Sequence, residues 1–407
     1  MTIKLNYISL AIVAVLTGCG GGSGGSSDGG ASTQNVKTGY FKDASVEGVE
    51  YKTATQSGIT GLGGSFNYID GEIVRFSIGS LNIGATKAAP VITPIELTSF
   101  LSPSDTQNVN IVRVLMLLDD DGIYSNGIQI PEEAVDYLTN EVDYSDLDIT
   151  TENGMNALES RVRQLYPDAE FPTAEEAIAH FNQTVRCNLS GVFYGEYEGE
   201  GEGVFAVAID PATLTPRGVF KPDDGYEYEW FGLTGEPLQL KGGAQPVALG
   251  SSDSHEYSGV VFSSVFDGAD LSGSWSENGA MGGTVIGEKF ISSQEGDDNI
   301  YAGTKYVGTY RYTGNWTDEP SGVMQILVTK NSGVKVIDWY DFSDSVQRHQ
   351  GSNFNGGSVY IDLNNRDDSA EQILEFTIEN AGGDVIDQVV IDSQGNEIEL
   401  KLSSCTI

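Results

Sequence analysis

Asp119-Asp120-Asp121-Gly122-Ile123-Tyr124-Ser125-Asn126-Gly127 sets three acids and an amide around a glycine, directly after an apolar run. Calcium takes about six to eight oxygen ligands from a tightly turning loop. Alternate acids can point the same way, and an amide oxygen can complete the ring. Asp119, Asp121 and Asn126 are therefore the candidate metal ligands, and Ca2+ is the candidate cofactor. A second acidic stretch, Gly195 to Gly203, interleaves Glu196, Glu198, Glu200 and Glu202 with glycines. When extended, it places four carboxylates on one face, either as a cation site or as a solvated hairpin. Tyr226, Tyr228 and Trp230 alternate on a third stretch, and Trp339 lies in another candidate strand. These four aromatics are candidate ligand-binding residues. They line an apolar cavity, form a flat sugar platform, or fill a core.

Nucleophilic and zinc chemistry find little support, and the expectation is a protein that is not an enzyme. His180 falls beside the apolar face of a helical pattern, while His255 and His349 fall in polar stretches predicted as loops. No two histidines stand at i, i+4, and no Cys-x-x-Cys pair occurs. Gly21-Gly22-Ser23-Gly24-Gly25 matches G-x-S-x-G in letters only, because no strand precedes it and no helix follows. With 59 acids against 21 basic residues, net charge −38, the chain excludes nucleic acid as a partner, since phosphate contacts need Lys and Arg. Anionic lipid head groups repel it for the same reason.

The elements that must position these residues are mostly strands. Residues 38–92 alternate apolar and polar residues, with Gly-rich turns about every ten residues, and predict a small β-sandwich. Residues 93–187 change character. Thr93-Pro94-Ile95-Glu96 and Thr173-Ala174-Glu175-Glu176 are capping boxes. Val109 to Leu118 is nearly all apolar and reads as a buried helix, with a buried strand as the alternative; helices are expected from Pro131 and over Glu152 to Tyr166, and Ala174, Ala177, Ile178, Phe181 and Val185 share a helical face. Residues 188–407 return to strands. Gly191 to Ile209 and Gly308 to Val328 echo one another at an offset of about 118 residues, which predicts related β-halves in an antiparallel barrel or a double sandwich. The fold class expected is mainly β with a helical insert, α+β.

Three cysteines occur. Leu16-Thr17-Gly18-Cys19 follows a basic start at Lys4 and a short apolar run, Ile8 to Val15, and precedes a Gly/Ser tract. The run is shorter than the ~20 apolar residues a membrane-spanning helix needs, and the layout is that of a secretory signal. This stretch resembles the lipobox of bacterial lipoproteins. The resemblance implies a signal peptide over 1–18, a lipid on Cys19, and a flexible tether over 19–37. Gly20 after the cysteine, in place of the aspartate tied to inner-membrane retention, implies the outer membrane. Cys187 and Cys405 remain as an even pair in an exported chain, which reads as a disulfide tying the ends of a C-terminal domain. Residues 38–92 also resemble the prealbumin-like or carboxypeptidase-regulatory-like sandwich of exported bacterial proteins, a module that serves as a spacer. The Asp119 stretch resembles a truncated EF-hand or dockerin calcium loop. It departs from that pattern at Leu117, where the first ligand belongs, with Glu132 or Glu133 as the closing acid.

The sequence thus describes a lipid-anchored exported lipoprotein acting as a non-enzymatic binding or assembly module, its membrane contact made through the lipid. Two alternatives are a carrier of an apolar small molecule or lipid in a C-terminal barrel, and a carbohydrate-directed adhesin or hydrolase. The partners that fit are an apolar small molecule, a glycan or an envelope protein.

Overall fold

The structure, a computed structural model, describes residues 35–140, 143–165, 167, 170–222, 233–234, 236–241, 270–277, 280–289, 303–313, 322–329, 333–340, 347–355, 358–362, 375–378, 384–392 and 395–406. Strands β1 (Lys37–Phe41), β2 (Val46–Glu47), β3 (Glu50–Lys52), β4 (Ser57–Ile59), β5 (Ser65–Tyr68), β6 (Ile73–Ile78), β7 (Leu81–Lys87) and β8 (Val91–Ile92) come first. They form a three-stranded sheet, β5-β1-β8, and a four-stranded sheet, β4-β3-β6-β7; β2 lies apart from both. Alternation decides which face is buried: Val74, Phe76 and Ile78 point inward from β6, while Ile73 and Arg75 face out. Phe41 stacks on Phe76 at 4.5 Å between ring centroids, and Phe66 meets Phe76 edge-on at 5.3 Å. These rings come from both sheets, so the sheets share one aromatic core. Gly64, at φ +83°, holds the turn before β5; a Cβ there would stand 2.2 Å from the Phe41 carbonyl oxygen, so a side chain is excluded by both conformation and space.

The helices follow: α1 (Pro94–Leu97), α2 (Thr106–Leu118), then strand β9 (Ile128–Gln129), α3 (Glu132–Asn140), α4 (Glu152–Leu165) and α5 (Ala174–Leu189). Both capping boxes form. The Thr93 and Thr173 hydroxyls accept from the first-turn amides, and Glu96 and Glu176 reach back to the cap amides. β9 pairs in parallel with β2, Val46 opposite Ile128. This ladder joins the early strands to the loop that carries Asp119.

The remaining strands are β10 (Gly191–Gly199), β11 (Gly203–Ile209), β12 (Pro216–Pro222), β13 (Leu233–Thr234), β14 (Asp270–Glu277), β15 (Ala280–Lys289), β16 (Gly303–Tyr312), β17 (Gly322–Thr329), β18 (Gly333–Tyr340), β19 (Gln347–Asn355), β20 (Ser358–Asp362), β21 (Glu375–Ile378), β22 (Val385–Ile391) and β23 (Glu397–Thr406). They make two sheets, β13-β12-β11-β10-β15-β14 and β21-β20-β19-β18-β17-β16-β23-β22. In each sheet the first strand pairs antiparallel with the last, β10 with β15 and β16 with β23. Both therefore run as a meander that returns to its start, and the end strands β21 and β22 approach each other. This shared topology accompanies the sequence echo between the two halves. His349 lies on β19, which corrects its expected place in a loop; pairing with β18 draws this polar stretch into the sheet.

β10 explains how the layers meet. Its odd residues, Phe193 and Tyr197, join Phe205, Val207, Trp275 and Val285 in the large core shared with the helices and the early strands. Its even residue Val192 packs with Ala206 and Ala208 against Val307 and Val323 of the eight-stranded sheet. One sheet thus carries apolar side chains on both faces, which is why β11 reads as a nearly unbroken apolar run.

Candidate functional site

The Asp119 loop is placed by α2, which ends at Leu118, and by β9. The Asp119 Oδ1 accepts the Gln129 amide at 2.8 Å, and the Asp120 amide donates to the Gln129 carbonyl at 3.0 Å. Asp121 Oδ1 accepts the Ile123 amide at 2.7 Å, and Asn126 Nδ2 donates to Asp121 Oδ2 at 2.9 Å. Ligand oxygens of Asp119, Asp120 and Asp121 all lie within 4.8 Å of one another. Burial raises the Asp119 carboxyl to about 6; the Gln129 amide opposes this, and Asp121 and Asp120 add repulsion. Three carboxylates this close favour either a proton or a cation among them. Asp119 and Asp121 thus converge, with Asp120 added, while Asn126 meets the loop through its amide N–H on Asp121.

A second polar group adjoins this loop. Asp43, in the turn between β1 and β2, is fully buried, and Ser45 is 1 % exposed. His180 on α5 sets its Nε2 3.3 Å from Asp43 Oδ1. That separation makes an ion pair, but the alignment falls short of a hydrogen bond: both Asp43 oxygens, His180 Nε2, Ser45 Oγ and Asp119 Oδ2 are buried atoms without a hydrogen-bond partner. Burial alone would depress the His180 imidazole, but the neighbouring Asp43 carboxylate, helped by Asp119, outweighs it and the value is raised. Tyr124 lies edge-on to the His180 ring at 5.8 Å. The Ala44 amide donates to Thr184 Oγ1 at 2.8 Å, and Ala44 adopts φ +55°, an unusual conformation for a residue with a Cβ. These bonds fix the Asp43 turn onto α5. Sequence reading placed His180 beside an apolar face and missed Asp43 and Ser45, because nothing in Phe41-Lys42-Asp43-Ala44-Ser45-Val46 signals that its polar residues turn inward.

The C-terminal end of α5 forms a third cluster. Cys187 and Cys405 are joined with their Cα atoms 5.6 Å apart, inside the range of a disulfide. Lys305 Nζ donates to the Cys187 carbonyl at 2.6 Å and to the Ser190 carbonyl at 2.9 Å, and Lys289 Nζ donates to the Asn188 carbonyl. The last carbonyls of a helix lack intrahelical partners, and its C-terminus attracts positive charge. Two lysines from different sheets thus cap one helix. Burial pulls Lys289 down to about 7, and burial with the nearby Lys289 and Lys42 pulls Lys305 well below the usual lysine value. Further polar links tie the two large sheets together here. The Val192 amide donates to Gln325 Oε1 at 3.1 Å, and Ser403 Oγ donates to Asp210 Oδ2 at 2.6 Å.

The alternation of β10 settles the glutamate stretch in part. Tyr194, Glu196 and Glu198 face away from the large core, while Tyr197 is buried, and they border a groove of about 390 Å³ with Thr284 and Ile286 of β15. Glu200 and Glu202 lie at the hairpin tip, beyond the end of β10. Tyr226, Tyr228 and Trp230 fall outside the described residues, as do Cys19 and the tether up to residue 34. Trp339 lies on β18, opposite Val323.

No family model matches the chain, and no curated protein matches it.

Proposed function

We propose that the chain is an exported lipoprotein, anchored through a lipid on Cys19 in the outer membrane, that acts as a non-enzymatic binding or assembly module. The observation that carries this reading is the Cys187–Cys405 pair, bridging 218 residues at the junction of α5 and both large sheets. A disulfide of this kind persists in oxidising compartments, and the lipobox-like Leu16-Thr17-Gly18-Cys19 supplies the address. The acidic surface, at net charge −38, supports attachment by lipid rather than by basic residues. Ca2+ held by Asp119 and Asp121, with Asn126 positioning Asp121, steadies the loop beside His180 and Asp43. The elements support a scaffold: capped helix ends, a shared core, and sheets rolled so that first and last strands pair. Fractionation of cells expressing the wild type and Cys19→Ser tests the reading. The wild type stays with membranes and takes up labelled palmitate, and the variant does neither; equal fractionation without label overturns it.

The cyclic strand order of the eight-stranded sheet favours one second reading, a barrel that carries an apolar small molecule or lipid in its interior. It predicts that the purified chain retains an extractable lipid.

A further inference from the structure

We infer that Asp43 and His180 bind a divalent transition-metal ion of the zinc class, which pins the turn between β1 and β2 onto α5. This ion is distinct from calcium at Asp119 and Asp121. It uses a nitrogen donor and a carboxylate sealed in the core, whereas calcium takes oxygen ligands. The two residues stand 137 positions apart, so no spacing along the chain announces the pair.

The geometry fits the edge of a coordination shell. His180 Nε2 lies 3.3 Å from Asp43 Oδ1, yet neither atom has a hydrogen-bond partner. Two donors held by one zinc ion at about 2.0–2.1 Å, with a tetrahedral angle between them, stand about 3.3 Å apart without bonding each other. Asp43 is fully buried, and both of its oxygens are unbonded. An imidazolium would balance its charge but leave those oxygens without bonds, and a buried carboxylate needs charge balance and bonds alike. A metal ion supplies the two together. Ser45 Oγ and Asp119 Oδ2 are buried in the same polar group and also lack partners. They are the acceptors for the waters that complete the metal's shell. His180 keeps 10 % of its side chain exposed, which gives the ion a way in. The carboxylate is positioned in advance, because Ala44 takes φ +55° and its amide donates to Thr184 Oγ1 of α5.

Metal binding to the full chain in detergent, stripped with a chelator, tests this with ZnCl2, CoCl2 and CaCl2. The expected result is one zinc per chain retained through desalting and a raised melting temperature. Cobalt gives visible absorption bands that zinc removes, and excess calcium displaces neither. Asp43→Asn and His180→Gln each weaken zinc at least tenfold. His255→Gln with His349→Gln, the other histidines of the chain, leaves zinc binding as it was. Because either core substitution can unfold the chain, the wild-type measurements decide by themselves. Absent zinc uptake, zinc displaced by calcium, or undiminished uptake by a folded His180→Gln each overturns the inference. Calcium's own melting shift and the fate of Cys19 are read separately, so failure here leaves the anchored-module reading standing.

Discussion

Removing the Cys187–Cys405 bond should cost this protein much of its stability while leaving its folded structure in place. The bridged segment is 218 residues long. In the chain-entropy account, closing a loop of that length removes about 18 cal/mol/K from the unfolded ensemble, or about 5 kcal/mol at 25 °C. This is an upper value, because denatured chains under native-like conditions are already compact. Alanine is the right replacement: Cys187 is fully buried, and a serine hydroxyl there would add a desolvation cost of its own. Lys305 and Lys289 bond the main-chain carbonyls of residues 187, 188 and 190, so the helix cap survives the substitution. The assay is urea unfolding of wild type, wild type under reductant, and Cys187→Ala with Cys405→Ala. The account expects a loss of about 3–5 kcal/mol, a larger m-value as the freed unfolded chain exposes more surface, and an unchanged near-ultraviolet spectrum. A midpoint indifferent to both reduction and substitution, or two thiols that alkylate in the native protein, would refute the reasoning.

Calcium should raise the melting temperature, by about 2.7 kcal/mol of stability at a hundredfold excess over Kd, and Asp119→Ala with Asp121→Ala should erase the gain. Without metal, the raised Asp119 carboxyl favours folding below about pH 4, and that contribution fades as pH rises through about 6; calcium affinity should climb over the same interval as the competing proton leaves. His180→Gln leaves the Asp43 carboxylate buried without its cation and should cost about 3–5 kcal/mol by urea unfolding. In the wild type the raised His180 value makes the pair's contribution full below pH ~6.5 and lost as pH rises through the folded value. Lys289→Met removes an amine that burial depresses to about 7. Folding therefore favours its neutral form, and wild-type stability should rise from pH 7 towards 10, while the variant's curve flattens and its stability at pH 7 increases.

Periodicity and capping made much of the architecture legible. The all-apolar run Val109 to Leu118 fits a buried helix or a buried strand by pattern alone, and the structure makes it part of α2, which starts at Thr106. The two Thr–Glu capping boxes announced α1 and α5 through local chemistry alone. The cysteine pair was legible because three cysteines, one assigned to a lipid, leave a single pairing. Long-range closeness was not legible. Asp43 and His180 are 137 positions apart, and only the parallel β2–β9 ladder and the fold of α5 bring them beside Asp119. Lys289 and Lys305 look like ordinary strand lysines until their sheets converge on the end of α5. A useful signal lies in their scarcity, since few basic residues occur in this acidic chain and these two fall in otherwise apolar or Gly-rich strands. The glutamate stretch was half legible: alternation correctly put Glu196 and Glu198 on one face, but the parting of the sheets that makes the groove depends on contacts with β16 and β17.

The central claim is that Cys19 carries a lipid and holds an exported binding module at the membrane. Mass spectrometry of the mature N-terminus from isolated membranes tests it most directly. The account predicts a chain that begins at Cys19 with acyl groups attached. A chain recovered with residues 1–18 still present, or with an unmodified Cys19 in the soluble fraction, would contradict it.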